Sequence, residues 1–291
     1  MSATITRSWT VPEIPHLECF RTVKFVHEYP RHCHETWSIG VVDYGIGGIW
    51  YRGANQRGGA GQVIAINPGD VHTGYPLQKD GISYSMLYVA HELVKQILPD
   101  VAATPVFPGI GICDSVLAAR LRRICRSLEF CSPSLAAEIE LVSALRTLFR
   151  RHANAKTRQL DAHESARVAR IQEYLRANLH RNVSLGELAS LTGLSKAHVI
   201  RSFGRVVGMP PYEWLLQQRI EEARRHLRNG CSIGDLALRL GFADQSHFHR
   251  RFKSVTGMTP AIYAAGHYRS RQTEPVLTAS EMYRRRWVRQ N

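Results

Sequence analysis

The sequence predicts an α+β protein of two domains, in which a β-rich N-terminal domain of antiparallel strands precedes an all-α C-terminal domain. Three observations lead to this expectation. The chain has 291 residues, 44% of them hydrophobic, which is enough to bury two cores. Its hydrophobic pattern changes from short β-branched and aromatic runs to helical periods. Two segments of the second half also repeat each other.

The N-terminal domain begins with strands. From Arg21 to about Val89, short apolar runs are interrupted by turn signals such as Gly58-Gly59 and Asn67-Pro68-Gly69. Such spacing is typical of antiparallel strands in a sandwich or barrel. The most apolar stretch contains Asp43 and several glycines, and the first twenty residues lack the apolar segment of a signal peptide. We therefore expect a cytoplasmic protein without a membrane partner.

Two amphipathic helices are predicted to close the first domain. The first has an apolar face of Leu117, Leu121, Ile124 and Leu128. The second has Leu135, Ile139, Val142, Leu145 and Phe149 at three- or four-residue steps. In one interpretation each helix only covers the β-domain, and in the other the second helix also forms a helix-to-helix contact in a homodimer.

Charge and composition divide the chain. We expect a first domain at 1–155, a linker at 156–165, a helical domain at 166–265 and a basic tail at 266–291. Residues 1–160 hold 17 basic and 13 acidic side chains, net +4, whereas residues 161–291 hold 21 and 11, net +10. The second half is therefore predicted to meet a polyanion. The tail, with Arg284-Arg285-Arg286, is either a solvated end or an extra contact to a DNA backbone.

The six cysteines include no CxxC pair, so we expect reduced thiols rather than a disulfide scaffold.

Residues 183–211 and 231–260 are two copies of one pattern. Their first parts match at an offset of 48 residues, as in Ser184 and Ser232. Their later parts match at an offset of 49, so only the turn between the two parts has gained a residue.

Each copy predicts a helix-turn-helix unit. A capping residue is followed three positions later by an acidic side chain, and a glycine ends the first helix in the left-handed conformation. A second cap then starts the next helix. The paired positions are Ser184 and Ser232, Glu187 and Asp235, Gly193 and Gly241, and Ser195 and Asp244. The inward faces of the second helices are Val199, Phe203 and Val206, and Phe248, Phe252 and Val255.

The segment between the copies predicts one long helix, started by Pro210-Pro211 and stopped by Asn229-Gly230. It would set the separation of two helices that enter successive major grooves, about 34 Å or roughly 10 base pairs apart.

The outward positions of the two second helices are the predicted base-reading residues. Arginine can bind guanine, glutamine can bind adenine, and apolar side chains can contact a thymine methyl group. The predicted base-reading residues are Lys196, Ala197, Ile200, Arg201, Gln245, Ser246, His249 and Arg250. Arg205, Arg251 and Lys253, towards the far ends of these helices, are predicted to hold phosphates.

With these residues, positions 166–265 resemble the DNA-binding domain of the AraC/XylS family of transcription regulators. Gly241 to Pro260 carries the family's most specific signature almost unbroken. The resemblance implies two helix-turn-helix units on one face of double-stranded DNA, a sensory N-terminal domain, activation of transcription and contact with RNA polymerase. Ala264-Ala265 departs from the pattern, because the family usually has an arginine after the tyrosine matched by Tyr263.

Three histidines stand out in the first half. His32-Cys33-His34 and the later Asn67-Pro68-Gly69-Asp70-Val71-His72 resemble the two short motifs of a cupin barrel. His32 and His34 share a strand face, and His72 could join them inside the barrel. Three imidazoles can bind a transition metal. The carboxylate that a cupin enzyme usually adds is missing, because Glu35 alternates onto the opposite face.

We therefore expect a cupin-like barrel that binds a small-molecule effector near His32, His34, Trp37, Trp50 and His72. We expect no resident cofactor, no catalytic residue and no metal, with the histidines as ordinary pocket or core residues. A metal at the three histidines is the alternative, as part of a metal-dependent cupin enzyme fused to a DNA-binding module.

Overall fold

A computed structural model describes residues 4–101, 103–130, 135–154 and 162–269. Most of the predicted linker, and the tail with Arg284-Arg285-Arg286, lie outside the described residues. The strands are Ile5–Thr10 (β1), Leu17–Phe25 (β2), Tyr29–His32 (β3), Trp37–Tyr44 (β4), Ile46–Tyr51 (β5), Ala54–Gly59 (β6), Val63–Ile66 (β7), His72–Pro76 (β8), Ile82–Val89 (β9) and Gly111–Ile112 (β10). The helices are His91–Ile97 (α1), Ser115–Phe130 (α2), Leu135–His152 (α3), Ala162–Ala177 (α4), Leu185–Thr192 (α5), Lys196–Val207 (α6), Pro211–Arg228 (α7), Ile233–Arg239 (α8), Gln245–Thr256 (α9) and Pro260–Arg269 (α10).

The strands form two antiparallel sheets. The larger has the order β1-β2-β9-β4-β7-β10, and the smaller has the order β3-β8-β5-β6. Because successive strand residues face opposite sides, β4 contributes to two different layers. Trp37 and Ile39 are buried in the core that also contains α2 and α3, whereas Ser38 and Gly40 line a cavity inside the barrel.

The two predicted helices of the first domain form, and α2 buries the predicted face. The apolar face of α3 differs from the prediction. Ile139 is 60% exposed and Val142 is 38% exposed. The buried side chains of α3 are Leu141, Ala144, Leu145, Leu148 and Phe149. The packed stripe is rotated because α3 lies against α2 and α1 and its Phe149 contacts Trp37 of β4, which leaves two branched side chains outside.

The C-terminal domain is built around α7. Trp214 and Leu215 pack with the first helix-turn-helix unit, α5–α6, while Ile220 and Leu227 pack with the second, α8–α9. The two-domain α+β architecture predicted from the sequence is therefore confirmed. None of the described helices is long and apolar enough to cross a membrane.

Candidate DNA interface and effector cavity

Local hydrogen bonds explain how the helix-turn-helix units form. The Ser184 hydroxyl accepts from the Glu187 backbone N–H at 3.1 Å, and the Glu187 carboxylate accepts from the Ser184 N–H at 2.9 Å, which completes a capping box. Ser195 and Asp244 cap α6 and α9 in the predicted way. These caps fix the start of both predicted recognition helices.

The first helix of the second unit departs from the prediction. Ser232 stands at the start of α8, but its side chain accepts no capping hydrogen bond from the described residues. The turn that follows is as predicted, since Gly193 and Gly241 have φ values of 68° and 70°, in the left-handed region that favours glycine.

The predicted base-reading positions lie at the surface with one exception. Those exposed are Lys196, Ala197, Ile200, Arg201, Gln245, Ser246 and Arg250. His249 is only half-buried, and its Nε2 is enclosed with no hydrogen-bond partner among the described residues. Its ring contacts Phe248, so His249 is turned further towards the core than the helical pattern predicts.

The three predicted phosphate ligands are also exposed. The Arg205 guanidinium lies 3.2 Å from the Glu164 carboxylate of α4 and would have to exchange this surface ion pair for a phosphate. Arg251 and Lys253 lie on the exposed side of α9.

Arg219 is a buried cation that connects the two units, and the sequence pattern did not reveal it. It is 1% exposed and donates from Nε to Leu179 O at 2.8 Å, from Nη2 to Arg181 O at 2.8 Å and from Nη1 to Gly241 O at 2.6 Å. Burial lowers the pKa of Arg219, but the three carbonyl oxygens stabilise its charge. The segment after α4 is thereby tied to the turn of the second unit.

The barrel touches the C-terminal ends of both predicted recognition helices. A Cβ atom on Gly208, which ends α6, would lie 3.2 Å from Val71 Cβ. A Cβ atom on Gly257, which ends α9, would lie 2.6 Å from the Tyr29 hydroxyl. Both contacts come from the β3–β8 side of the smaller sheet, so this one part of the barrel contacts both helices.

A cavity runs from the barrel interior to the helical domain. The barrel contributes Phe20, Tyr84, Met86 and Tyr88 from the larger sheet and the three histidines, while the helical domain contributes Arg224, Val255, Thr256, Met258 and Tyr263. The space within it that the centre of a water-sized sphere can reach has a volume of about 110 Å³. One water needs about 10–15 Å³ by this measure, so an organic molecule of several non-hydrogen atoms fits.

A buried carboxylate holds the two domains together beside this cavity. Glu18 of β2 accepts from Arg224 at 2.8 Å, from Arg228 at 2.7 Å and from Ser8 at 2.7 Å. The Tyr263 hydroxyl lies 3.2 Å from both Glu18 oxygens. Burial alone would raise the pKa of Glu18, but Arg224 and Arg228 outweigh burial and hold this pKa well below its usual range.

The structure brings the three predicted histidines together in the cavity. His32 pairs with His72 across β3 and β8, and the ligand nitrogens of His32, His34 and His72 lie within 4.8 Å of one another. Burial, together with the neighbouring His34, lowers the pKa of His32 to about 3. Burial and the neighbouring histidines also lower the pKa of His72. Both rings are therefore neutral near pH 7.

Neither tryptophan of the expected effector pocket is among the described residues that line the cavity. Trp37 faces the helical layer, and its Nε1 donates to Pro105 O at 3.2 Å. Trp50 lies under the Arg31 guanidinium, 4.1 Å from the ring centroid. Trp37 thus packs in the core with α2 and α3, and Trp50 packs against the cluster that contains the first helix-turn-helix unit, so neither side chain lines this cavity.

The helical side of the cavity was missed by sequence reasoning. Arg224 and Tyr263 read as ordinary helical positions, and the acidic Glu18 lies in a strand without any motif. A carboxylate within an apolar strand was the one available signal, because such a group is rarely buried unless it is paired.

Comparison with known proteins agrees with this arrangement. Family models match an AraC-like ligand binding domain at residues 15–149 and a helix-turn-helix domain at residues 188–266. The chain is 34% identical to the HTH-type transcriptional activator AarP of Providencia stuartii over 101 residues, 34% of this chain and 75% of that protein. It is 25% identical to the HTH-type transcriptional regulator YbfI of Bacillus subtilis over 83% of this chain and 89% of that protein.

The fold also has solved counterparts. An apo structure of a ToxT variant from Vibrio cholerae aligns with a TM-score of 0.58 at 14% identity, covering 91% of this chain and 98% of that chain. ToxT bound to an unsaturated fatty acid aligns with a TM-score of 0.54, also at 14% identity, over 91% of this chain and 95% of that chain. A ligand-binding barrel joined to a double helix-turn-helix domain defines a transcription regulator. The chain belongs to the AraC family of transcription regulators, as the sequence resemblance predicted.

Proposed function

We propose that this regulator is an activator whose affinity for a specific DNA site is controlled by a small molecule in the cavity. The observation that carries the proposal is the position of the cavity, whose wall is shared between the barrel and the helical domain. A ligand there favours whichever arrangement of the two domains gives it the better contacts, and so shifts the population able to bind DNA.

The exposed faces of α6 and α9 are proposed to read bases in successive major grooves. Lys196, Ala197, Ile200 and Arg201 would read one half-site, and Gln245, Ser246 and Arg250 the other. His249 would contribute only after its half-buried ring turns outward. Arg205, Arg251 and Lys253 would hold phosphates and account for much of the salt dependence.

The cavity is suited to an effector with an apolar body and a polar or anionic head. Phe20, Tyr84 and Met86 supply apolar wall, while Arg224 and the histidines supply a polar end. ToxT, which has the same fold, is known bound to an unsaturated fatty acid, which combines these two features. His32, His34 and His72 thus stay in the proposed pocket, without Trp37 and Trp50.

A homodimer through α3 is part of the proposal. Ile139 and Val142 lie three residues apart on the exposed side of this helix, which suits packing against a second copy. Two copies would bind two sites on DNA, and a cytoplasmic location and contact with RNA polymerase follow from an activator's role. The family relationship supports a non-enzymatic protein rather than a cupin enzyme fused to a DNA-binding module.

The test is selection of duplexes from a random library by the purified full-length chain, with and without candidate effectors. We expect a site with two short boxes about 10 base pairs apart and an affinity that falls steeply with salt. Arg201→Ala and Arg250→Ala should each relax one box only, while Arg57→Ala, on strand β6 of the barrel, serves as a matched charge control. Enrichment of no sequence under any condition, with the same salt dependence, would contradict the proposal.

A further inference from the structure

The three cavity histidines form a compact, buried set of nitrogen donors. The ring centroids of His32 and His72 are 4.2 Å apart, and those of His34 lie 5.0 Å and 5.4 Å from His32 and His72. All three side chains are buried. Three imidazoles at such separations suit one transition-metal ion, since zinc-to-nitrogen bonds are about 2.0–2.1 Å long.

Backbone hydrogen bonds orient two of these rings towards a common point. His32 Nδ1 donates to Pro30 O at 2.8 Å, and His72 Nδ1 donates to Asp70 O at 3.0 Å. Because a carbonyl oxygen only accepts, each Nδ1 carries the proton and each Nε2 keeps its lone pair. Metal-binding histidines are typically held in this way by a carbonyl partner on the other ring nitrogen.

The third ring faces a carboxylate from the other domain. His34 Nδ1 is buried with no hydrogen-bond partner in the described part of the chain, and Glu221 Oε1 of α7 lies 3.8 Å away. This separation is too long for a hydrogen bond. Two ligands of one tetrahedral ion would be roughly 3.3–3.5 Å apart, so a small shift of Glu221 would bring both onto one ion.

Glu221 has the capacity for such a role. Its Oε1 accepts from Arg224 Nη1 at 2.6 Å, which orients the carboxylate, and each carboxylate oxygen has two lone pairs. As a ligand, Glu221 would supply from α7 the acidic group that is missing from the region after His34 in the sequence.

We propose that His32, His34, His72 and Glu221 form a binding site for one divalent transition-metal ion of the zinc class, and that this ion joins the barrel to α7. Four protein ligands close the coordination sphere, which is typical of structural rather than catalytic zinc sites. The proposed ion is therefore a clamp between domains and not a centre for cupin chemistry.

The position of the site connects it to DNA binding. Val71, next to His72, contacts the end of α6, and Tyr29, whose ring lies 5.6 Å from that of His32, contacts the end of α9. α7, which carries Glu221, packs against both helix-turn-helix units. Filling the site would fix both predicted recognition helices relative to the barrel, so metal should change DNA affinity.

The first experiment needs no DNA. The full-length chain is treated with a chelator, titrated with Co²⁺ and followed by visible absorption, and then Zn²⁺ is added to displace the Co²⁺. We expect one Co²⁺ per chain with an intense band typical of four-coordinate cobalt. His72→Ala and Glu221→Gln each remove a proposed ligand, so each should weaken binding by more than the about 10- to 100-fold typical of losing an outer-shell partner, and Glu221→Gln should also shift the band. Glu222→Gln on the same helix and His27→Ala on the barrel are matched controls that should bind normally.

Thermal melting distinguishes a variant that folds but binds no metal from a variant that does not fold. Zn²⁺ should raise the Tm of the wild type and of Glu222→Gln, and should leave the Tm of folded Glu221→Gln nearly unchanged. The proposal would be overturned if the wild type bound no stoichiometric metal. It would also be overturned if His72→Ala and Glu221→Gln bound metal as tightly as the wild type. The selection of DNA duplexes is repeated with chelator present, in a separate experiment. Failure of the metal proposal therefore leaves the proposed regulation by an organic effector testable.

Discussion

The two helix-turn-helix units share a sequence pattern but depend on different parts of the molecule. The first begins with a complete capping box and meets the barrel through Val71 and Cys33. In the second unit, the Ser232 side chain accepts no capping hydrogen bond from the described residues, but the unit packs against Phe20, Tyr84 and Met86 around the cavity. The first unit is thus stabilised more by local hydrogen bonds, and the second more by its contact with the barrel. A ligand in the cavity would therefore act most directly on the second unit.

Removing the carboxylate that anchors the second unit should have the largest effect. Glu18→Gln removes the counter-charge of the partly buried Arg228 and one of the two counter-charges of the buried Arg224, and breaking a buried ion pair in this way costs about 3–5 kcal/mol. Urea unfolding at pH 7 measures the loss. Glu140→Gln, in a more exposed pair with Arg123, should cost at most about 1 kcal/mol.

The same carboxylate predicts how stability depends on pH. Because the folded state lowers the pKa of Glu18 from its ordinary value of 4.5, its contribution is complete above pH 4.5 and is lost as the pH falls through the lowered value. The wild type should therefore lose stability more steeply than Glu18→Gln as the pH falls below 4.5. Parallel curves for the two proteins would contradict this assignment.

Cutting the connection between the units should have the next largest effect. Arg219→Met leaves the carbonyl groups of Leu179, Arg181 and Gly241 without their donor, at a cost of at least about 3 kcal/mol. Denaturant unfolding measures this cost, with the exposed Arg225→Met as the control. A change below about 1 kcal/mol would mean that water or another side chain replaces Arg219.

Changes on the two predicted reading faces should separate the units in DNA binding. Arg201→Ala and Arg250→Ala should each cost about 1–3 kcal/mol on the selected site and relax one box. Arg251→Ala should weaken binding to all sequences and reduce the salt slope by about 1. Titrations on the selected site and on altered boxes measure this, and relaxation of the same box by both base-reading variants would contradict two half-sites.

The smallest predicted effect compares the caps themselves. Ser184→Ala removes the side-chain acceptor of a capping box and should cost about 1 kcal/mol. Ser232→Ala removes a side chain that makes no such bond to the described residues and should be close to neutral. Equal losses of stability in the two variants would mean that both serines cap their helices. The units would then not differ in their local hydrogen bonds.

Much of the fold could be predicted because its signals are local. Ser195, Asp244, Gly193 and Gly241 act within three or four residues of their own position, so the sequence alone specifies their turns. Alternation also placed His32 and His34 on one face. The same alternation excludes Trp37 from the cavity, but only once the structure shows that both faces of β4 are buried.

The sequence by itself determined the two domains, the two helix-turn-helix units, the largely exposed faces that are predicted to read DNA, and the cluster of three histidines. Only the tertiary structure decided that Glu18 meets Arg224 and Arg228, that Glu221 faces His34, and that α7, α9 and α10 complete the cavity. These partners are separated by about 190 to 210 residues, and no periodicity connects them. Their meeting depends on how two finished surfaces pack together, which follows from the sum of many weak contacts rather than from any local pattern.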